Sequence, residues 1–351
     1  MIWNFLIPHV RYWISQGNEV ELACSRTGFY FDELRDVLKV KMYEIPFERF
    51  PFKKKNITSY RILNRLVRKK RYDIVISQEP VGGVIGRMVG ARNHCKNVYT
   101  AHGFHFFKGA SLVRWLLYFP VEKFMSRYTD VLVTINDEDF ERSKKFHVKK
   151  IKKIDGIGVD LNKYHYDPSE RSDVRKQLGI KDDDFIILTV AEMIERKNYE
   201  TSLKALADLP FNFKYLICGD GELADKLKKM AKELKLEDKV SFMGFRKDVN
   251  KIYQVADVFL FPSFQEGLSI ALIEAMASGL PIVCSRIRGN VDLIQDGKGG
   301  LLYEPTDHKG FNEGIKKIYR DRGSYGEFNR SFVKRFSVEN SVKSFYEAIN
   351  M

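Results

Sequence analysis

Cysteine is scarce in this chain: four among 351 residues. Cys24, Cys95, Cys218 and Cys284 lie far apart and form no C-x-x-C pair, which excludes a zinc knuckle and a dithiol redox motif. Three of them sit in strand-like apolar runs (ELACS, YLICGD, IVCS), where a free thiol behaves as a small buried hydrophobe. That usage fits a reducing, cytoplasmic compartment. Long hydrophobic runs are missing as well. The most apolar stretches, Val131–Ile135, Ile186–Val190 and Val258–Phe261, fall far short of the roughly 18 residues that span a bilayer. The start of the chain shows no basic region followed by an apolar core and a small-residue cleavage site. Histidine and cysteine form no H-x-x-x-H or mixed cluster, so no metal ligand set is expected. With 24 Gly and 10 Pro, the chain is neither collagen-like nor of low complexity.

Acidic residues are lacking in one half only. Residues 1–155 hold 29 Lys and Arg against 16 Asp and Glu, which accounts for the whole net charge of +13. The excess concentrates at Lys53–Lys55, at Arg65–Arg71 and between Lys144 and Lys153. Such a surface attracts polyanions. No nucleic-acid motif accompanies it, so an anionic membrane surface is the expected partner and nucleic acid is not. A merely solvated basic face reads equally well from charge alone.

What is present is a repeated strand-then-helix pattern. Strands are predicted at Val20–Cys24, Lys41–Ile45, Asp73–Ser77, Asn97–Ala101 and Asp130–Ile135. They recur at Phe185–Val190, Lys214–Cys218, Val240–Met243, Val258–Phe261 and Pro281–Cys284. Amphipathic runs separate them: Ile2–Gln16, Ile57–Lys70, Val84–Val89, Leu112–Ser126 and Glu138–Phe146, then Tyr199–Ala207, Glu222–Leu234, Val249–Val255, Ile270–Ala277 and Phe311–Tyr319. This pattern predicts an α/β fold of two parallel-sheet domains, residues 1–160 and 161–335. The joint is expected in the polar stretch Asp160–Arg171. A terminal helix over 336–351 is expected to pack back on the first domain. Ligands of such sheets bind beyond the carboxyl ends of the strands, so two of them define a cleft. The chain opens on a helix where a doubly wound domain has its first, central strand. That strand is therefore expected to be missing from the first sheet, as in a shortened chain.

The most informative segment is FPSFQEGLSIALIEAMASGLPIVCS, residues 261–285. A strand ends at Pro262–Ser263, a loop carries Glu266, Gly267, Leu268 and Ser269, and a helix follows. Backbone N–H groups at a helix N-terminus, beside small residues, suit a phosphate or a sugar oxygen. Glu274 follows Glu266 by eight residues, about two helical turns, among apolar neighbours. Read on the residues alone, Glu266 is equally a helix N-terminal charge complement and Glu274 a solvent-facing helix residue.

This segment resembles the Glu-x7-Glu signature of retaining glycosyltransferases of the GT-B fold, family 4 (the group 1 type). The resemblance covers nearly the whole chain. It is strongest to the bacterial branch that builds capsule and exopolysaccharide on a polyprenyl-diphosphate lipid, which is marked here by TAHGFHFFKG (Thr100–Gly109) and FPVEKFMSRYTDVLVTINDED (Phe119–Asp139). It implies two Rossmann-like domains facing a cleft. The first would hold the acceptor and the second a nucleotide sugar, most readily UDP-linked.

By the same resemblance Glu266 contacts donor-sugar hydroxyls at the reacting face, and Glu274 holds the ribose hydroxyls. Gly267, Leu268 and Ser269 offer backbone donors. Within VAEMIERKN, Lys197 falls on the family's diphosphate-binding lysine; Glu192 stands where many members have arginine, and Arg196 supplies the second charge. His102, at the end of a strand beside Gly103, lies against the donor sugar near the transfer site. Phe104 and His105 shape the acceptor surface. Gly219, in GDGE, lies near the nucleotide, and Phe245 and Arg246 belong to the loop that reads the base. Gly156, Gly158 and Asp160 fall at the hinge.

Without the family, Arg196 and Lys197 read as a solvated loop, His102 as structural, and GDGE as a turn capping a helix. The run Asn136–Asp139 invites a metal reading, but Asn136 or Asp137 as a helix N-cap explains it.

The expected activity is transfer of a sugar, with retention, to a polyprenyl-diphosphate-linked saccharide. No cofactor beyond the nucleotide sugar and no metal is expected. The expected location is peripheral, on the inner face of the cell membrane. Two other readings remain open: a sugar-nucleotide epimerase of the same fold, against which the Glu-x7-Glu motif speaks, and a non-catalytic nucleotide- or partner-binding member.

Overall fold

The computed structural model describes residues 6–26, 31–48, 50–181 and 183–350. The first residues of the helix predicted at Ile2–Gln16, and Asp182, lie outside them. The chain divides into two compact units, Met1–Gly158 with Val338–Met351, and Val159–Ser337.

The first unit runs α1 (Ile7–Ser15), β1 (Glu21–Cys24), α2 (Phe31–Leu38), β2 (Lys41–Glu44), α3 (Lys54–Lys70), β3 (Ile74–Gln78), α4 (Pro80–Arg92), β4 (Lys96–Ala101), α5 (Leu112–Met125), β5 (Val131–Thr134), α6 (Asp137–Ser143) and β6 (Lys150–Lys153). The second contains α7 (Pro168–Gln177), β7 (Phe185–Val190), α8 (Tyr199–Ala207), β8 (Phe213–Cys218), α9 (Ala224–Glu233), β9 (Val240–Gly244), α10 (Val249–Val255), β10 (Val258–Phe261), α11 (Ile270–Ala277), β11 (Ile282–Ser285), α12 (Asn290–Leu293), β12 (Gly300–Tyr303), α13 (His308–Arg320) and α14 (Tyr325–Phe332). The terminal helix α15 (Val338–Asn350) returns to the first unit, where Phe345 packs on His9 and Trp13 of α1.

The second unit has one all-parallel sheet of six strands, in the order β12-β11-β10-β7-β8-β9. Its strands read as unbroken apolar runs because both faces are covered. Alternate residues feed two cores. Ile186, Leu188, Phe259 and Phe261 point to the side of α10 and α11, whereas Ile187, Tyr215, Val258 and Leu260 point to the side of α8, α9 and α13. The chain winds outward from β7 to β9, then crosses back to lay β10 on the other side of β7. The loops after β7 and β10 therefore diverge at a topological switch point, where open α/β sheets take their ligands.

The first unit carries its parallel strands in two pieces, β1-β2 and β3-β4-β5-β6. Between the two pieces, β1 and β3 each have one side with no partner strand among the described residues. The two pieces still share a core, because Ala23 and Tyr43 pack with Val75 against Leu63, Val67, Ile85 and Val89 of α3 and α4.

Helix α4 lies very close to its sheet. A Cβ on Gly86 would stand 2.5 Å from the Ser77 Cβ, and one on Gly83 would stand 2.4 Å from the Tyr99 ring. This close fit encloses Arg87, which is 1 % exposed. Its guanidinium pairs with Glu122 of α5 at 2.9 Å and lies 3.9 Å from the centre of the Tyr99 ring. Its Nε–H donates to the Gly83 carbonyl.

Removing one member of a buried ion pair strands the other. Arg87→Met is therefore expected to lower stability to urea unfolding by about 3 kcal/mol or more. Arg87→Met combined with Glu122→Leu should recover most of that loss. Additive losses in the double variant would show that the pair is not the cause.

Candidate active site

Two loops meet at the switch point of the second unit. The first leaves β7 and runs through a short 3-10 turn, Glu195–Lys197, to Asn198. Asn198 adopts a left-handed backbone, φ 55°, which turns the chain into α8. The second loop leaves β10 and reaches α11 through Ser269, whose hydroxyl accepts the Leu272 N–H as N-cap. The loops are tied through the backbone, since the Phe264 N–H donates to the Arg196 carbonyl at 2.8 Å. The Asn198 amide adds donations to the carbonyls of Pro262 at 2.8 Å and Pro305 at 2.7 Å.

This junction brings Glu266, Arg196 and Lys197 together. The Lys197 ammonium donates to Glu266 Oε1 at 2.7 Å, and Arg196 reaches the same oxygen at 3.2 Å. Lys197 is largely buried and also lies 4.7 Å from the centre of the Phe261 ring. Burial holds its pKa below the ordinary lysine value, an effect the Glu266 charge partly offsets. Arg196 stays half exposed.

Glu274 lies on α11, in a different setting. The Tyr253 hydroxyl of α10 donates to it at 3.0 Å, and the Tyr164 hydroxyl faces it too. No cation approaches to ion-pair distance among the described residues. Burial consequently raises its pKa to about 7, although the two tyrosines and the more distant Lys163 pull it back in part.

Gly267 and Leu268 line the turn between the two glutamates. A Cβ on Gly289 would stand 2.4 Å from the Gly267 carbonyl oxygen, so the turn after β11 presses on the turn after β10. Arg288, buried beside it, donates from Nε to the Glu266 carbonyl at 3.1 Å. The sequence reading missed Arg288 and Asn198. An Arg-Gly pair and an Asn just past predicted strand ends were the available signals.

Gly219 has a backbone reason for its identity. At φ 148°, a Cβ there would stand 1.9 Å from the Ala191 carbonyl oxygen. Phe245 and Arg246 follow β9 at the same carboxyl edge of the sheet. Phe245 is 70 % exposed, and Arg246 is clasped by both oxygens of Asp248, at 2.8 and 2.6 Å.

In the first unit, His102 stands just past β4. Its Nε2–H donates to Oε1 of Gln78, at the end of β3, at 2.7 Å. Burial, with His9 nearby, depresses its pKa to about 4, so the ring is neutral at ordinary pH. His105 stacks on Tyr118 at 4.6 Å.

Phe104 does not join an acceptor surface. It is 3 % exposed and stacks on Phe106 within a core that also holds Leu132 and Phe146. Its neighbours in sequence alternate between core and surface, which aromatic composition alone does not reveal. Asn136 is the N-cap of α6, accepting the Asp139 N–H at 2.8 Å. Among the described residues no three His, Cys, Asp or Glu side chains gather closely enough to hold a metal ion.

Comparison with known proteins agrees with this architecture. Residues 170–335 match the family described as glycosyl transferases group 1, and residues 5–161 match glycosyltransferase family 4. EpsD of Bacillus subtilis (strain 168), a protein named as a glycosyltransferase, is 35% identical over 353 residues, covering 97% of this chain and 91% of that protein. An Escherichia coli enzyme, UDP-Gal:alpha-D-GlcNAc-diphosphoundecaprenol alpha-1,3-galactosyltransferase, is 30% identical over 316 residues, covering 87% of this chain and 81% of the relative. The crystal structure of Anabaena HepE in complex with UDP matches with a TM-score of 0.83 at 19% identity, over 98% of this chain and 95% of that one. The chain belongs to glycosyltransferase family 4, the group 1 type, with the GT-B fold, and is a hexosyltransferase-type enzyme.

The raised Glu274 pKa has a consequence for stability. Between the ordinary carboxyl value of 4.5 and about 7, the folded chain holds a proton that the unfolded chain releases. Stability is therefore lost as pH rises through that window, and stays lost above it. Glu274→Gln, free of that penalty, is expected to melt a few degrees above the parent at pH 8 and level with it below pH 4.5. Equal melting temperatures at pH 8 would show that the carboxyl ionises there without cost.

Proposed function

We propose that this glycosyltransferase takes a UDP-linked sugar as donor and transfers it, with retention of anomeric configuration, to a saccharide carried on a polyprenyl diphosphate. We further propose that it does so in capsule or exopolysaccharide synthesis, peripherally on the cytoplasmic face of the cell membrane. The observation that carries the reading is the Glu266–Lys197–Arg196 cluster at the switch point, where a diphosphate and a sugar would meet two cations and a carboxylate. The comparisons lend support: HepE was crystallised with UDP, and the Escherichia coli relative is named for a UDP-galactose donor and a diphosphoundecaprenol acceptor.

In this reading the donor diphosphate replaces Glu266 as the partner of Lys197 and Arg196. The bond between the anomeric carbon and the diphosphate oxygen breaks as negative charge gathers on the leaving UDP. Lys197, Arg196 and the N-terminus of α11 stabilise that charge. The acceptor hydroxyl attacks from the same face, and its proton passes to the departing diphosphate. No protein nucleophile takes part. Glu266, released from the lysine, accepts hydrogen bonds from donor-sugar hydroxyls, as do Glu274 from the ribose and neutral His102 from the sugar. The Gly267, Leu268 and Ser269 backbone contributes donors, and the exposed Phe245, with Arg246, meets the base. His105 faces the acceptor. No metal or further cofactor enters the scheme.

Thermal unfolding with UDP, GDP, ADP and CMP tests the donor site. A nucleotide at a hundred times its dissociation constant adds about 2.7 kcal/mol, a rise of several degrees. UDP alone is expected to give that rise, and Glu274→Ala to reduce it. Glu266→Gln and Lys197→Ala are each expected to lower transfer from UDP-sugars to a lipid-linked acceptor more than about tenfold while the protein stays folded. Full activity in both variants would remove the site assignment.

A further inference from the structure

Helix α5 is the least expected surface of the molecule. Leu112, Val113, Leu116, Leu117, Val121 and Phe124 are each between 45 % and 79 % exposed. Recurring at 112/113, 116/117, 121 and 124, about one helical turn apart, they occupy one side of the helix over about 20 Å. The opposite side of α5 is well used: Glu122 and Met125 are buried, and Trp115 and Phe119 pack on the Phe106 core. A stripe of this length left in water marks an interaction surface. No described helix is long and apolar enough to cross a membrane.

The charges around the stripe identify its occupant. Helices α3 and α4 pack on each other, and α4 touches α5, forming one layer. Within these three helices the sole carboxylate is Glu122, buried against Arg87. Outward, the layer presents Lys54, Arg61, Arg65, Arg68, Lys69 and Lys123, all exposed. Just before α3, Phe50 and Phe52 are exposed beside Lys53–Lys55. Beyond the end of α5, Arg127 and Tyr128 wall a cavity of about 550 Å³ that Lys96, Lys149 and Lys150 also line. An apolar stripe with a cationic surround matches the headgroup and upper acyl layers of an anionic bilayer. A second copy fits poorly, because a two-fold contact through this face would set cations against cations.

We propose that α5 lies in the plane of an anionic lipid surface, its Leu112–Phe124 stripe inserted below the headgroups and the α3 cations paired with lipid phosphates. This rests on the reading that the enzyme works at a membrane and names the element that holds it there. The stripe belongs to the first unit and the donor loops to the second, so lipid binding is expected to need no nucleotide.

The test is flotation of the full chain with vesicles of phosphatidylcholine, with and without phosphatidylglycerol. The parent is expected to float with phosphatidylglycerol vesicles and to be released by salt. Leu116→Ser with Leu117→Ser is expected to weaken that binding at least about tenfold. Far-ultraviolet dichroism, melting temperature and UDP-induced stabilisation should stay at parental values. Arg65→Glu with Arg68→Glu should weaken binding and flatten its salt dependence. Undiminished flotation of the leucine variant overturns the role of α5 while leaving the membrane reading in place. Failure of the parent to float with either vesicle overturns both. A parental dimer that the leucine substitutions dissociate, with flotation unchanged, assigns the stripe to self-association instead.

Discussion

The ion pair between Glu266 and Lys197 is the interaction on which the rest of the candidate site depends. A lysine this buried is costly unless a carboxylate stands beside it, and a carboxylate this buried needs the lysine in return. Each lies on a different loop, one after β7 and one after β10, so satisfying both charges fixes where the loops meet. The neutral contacts follow the same seam: Phe264 to Arg196, Asn198 to Pro262 and Pro305, Arg288 to the Glu266 carbonyl. The cluster is self-satisfied as it stands. Both charges are paired with no ligand present, so the two loops are held together by the protein's own groups.

The two units solve the packing of parallel strands differently. In the second, six strands make a continuous sheet that is buried on both faces except at the edge strand β9, and its alternate apolar residues feed the two cores. In the first, the sheet is broken between β1 and β3, and cohesion passes to the helices. Helix α4 supplies it. Glycines at positions 83, 86 and 90 bring its backbone close to β3 and β4, and α3 then packs against it and across to β1 and β2. The same closeness buries Arg87 and sets the pair with Glu122 that ties α5 to the layer. The surface carrying the apolar stripe is thus anchored from beneath by a glycine-faced helix and a buried ion pair, which leaves its outer side free for contact.

Much of this was legible in the sequence, for reasons that separate cleanly. Strands such as Phe185–Val190 and Val258–Phe261 announce themselves because a strand buried on both faces must be apolar throughout. The strand–loop–helix junction that carries Glu266 and Glu274 was legible from its apolar runs, whereas the spacing of the two glutamates pointed to a site only through the family resemblance. Strand β6, KIKK, escaped notice because three of its four residues are lysines. The tetrapeptide GLLY of β12 was too short to stand out, and α7 hid in the polar joint, although Asp167 caps it and Pro168 begins it. Phe104 was misread because aromatic composition does not tell which residues of a loop turn inward. That Lys197 and Arg196 converge on Glu266 was not readable, since contact between residues some seventy positions apart is a property of strand order.

Buried ionisable groups show how one physical term gives different outcomes. Burial disfavours charge on Lys197, on Glu274 and, in the first unit, on His102. Lys197 has the Glu266 carboxylate at 2.7 Å, which offsets part of the effect. Glu274 has only hydroxyl donors at contact distance, so its proton is retained to about pH 7. His102 has an amide oxygen for a partner and stays neutral down to about pH 4. At neutral pH the second unit thus presents a buried ion pair and one carboxyl poised between its two forms, and the first unit an uncharged imidazole. What separates the three is the partner each has been given, a carboxylate, a hydroxyl or an amide oxygen, and not the burial they share.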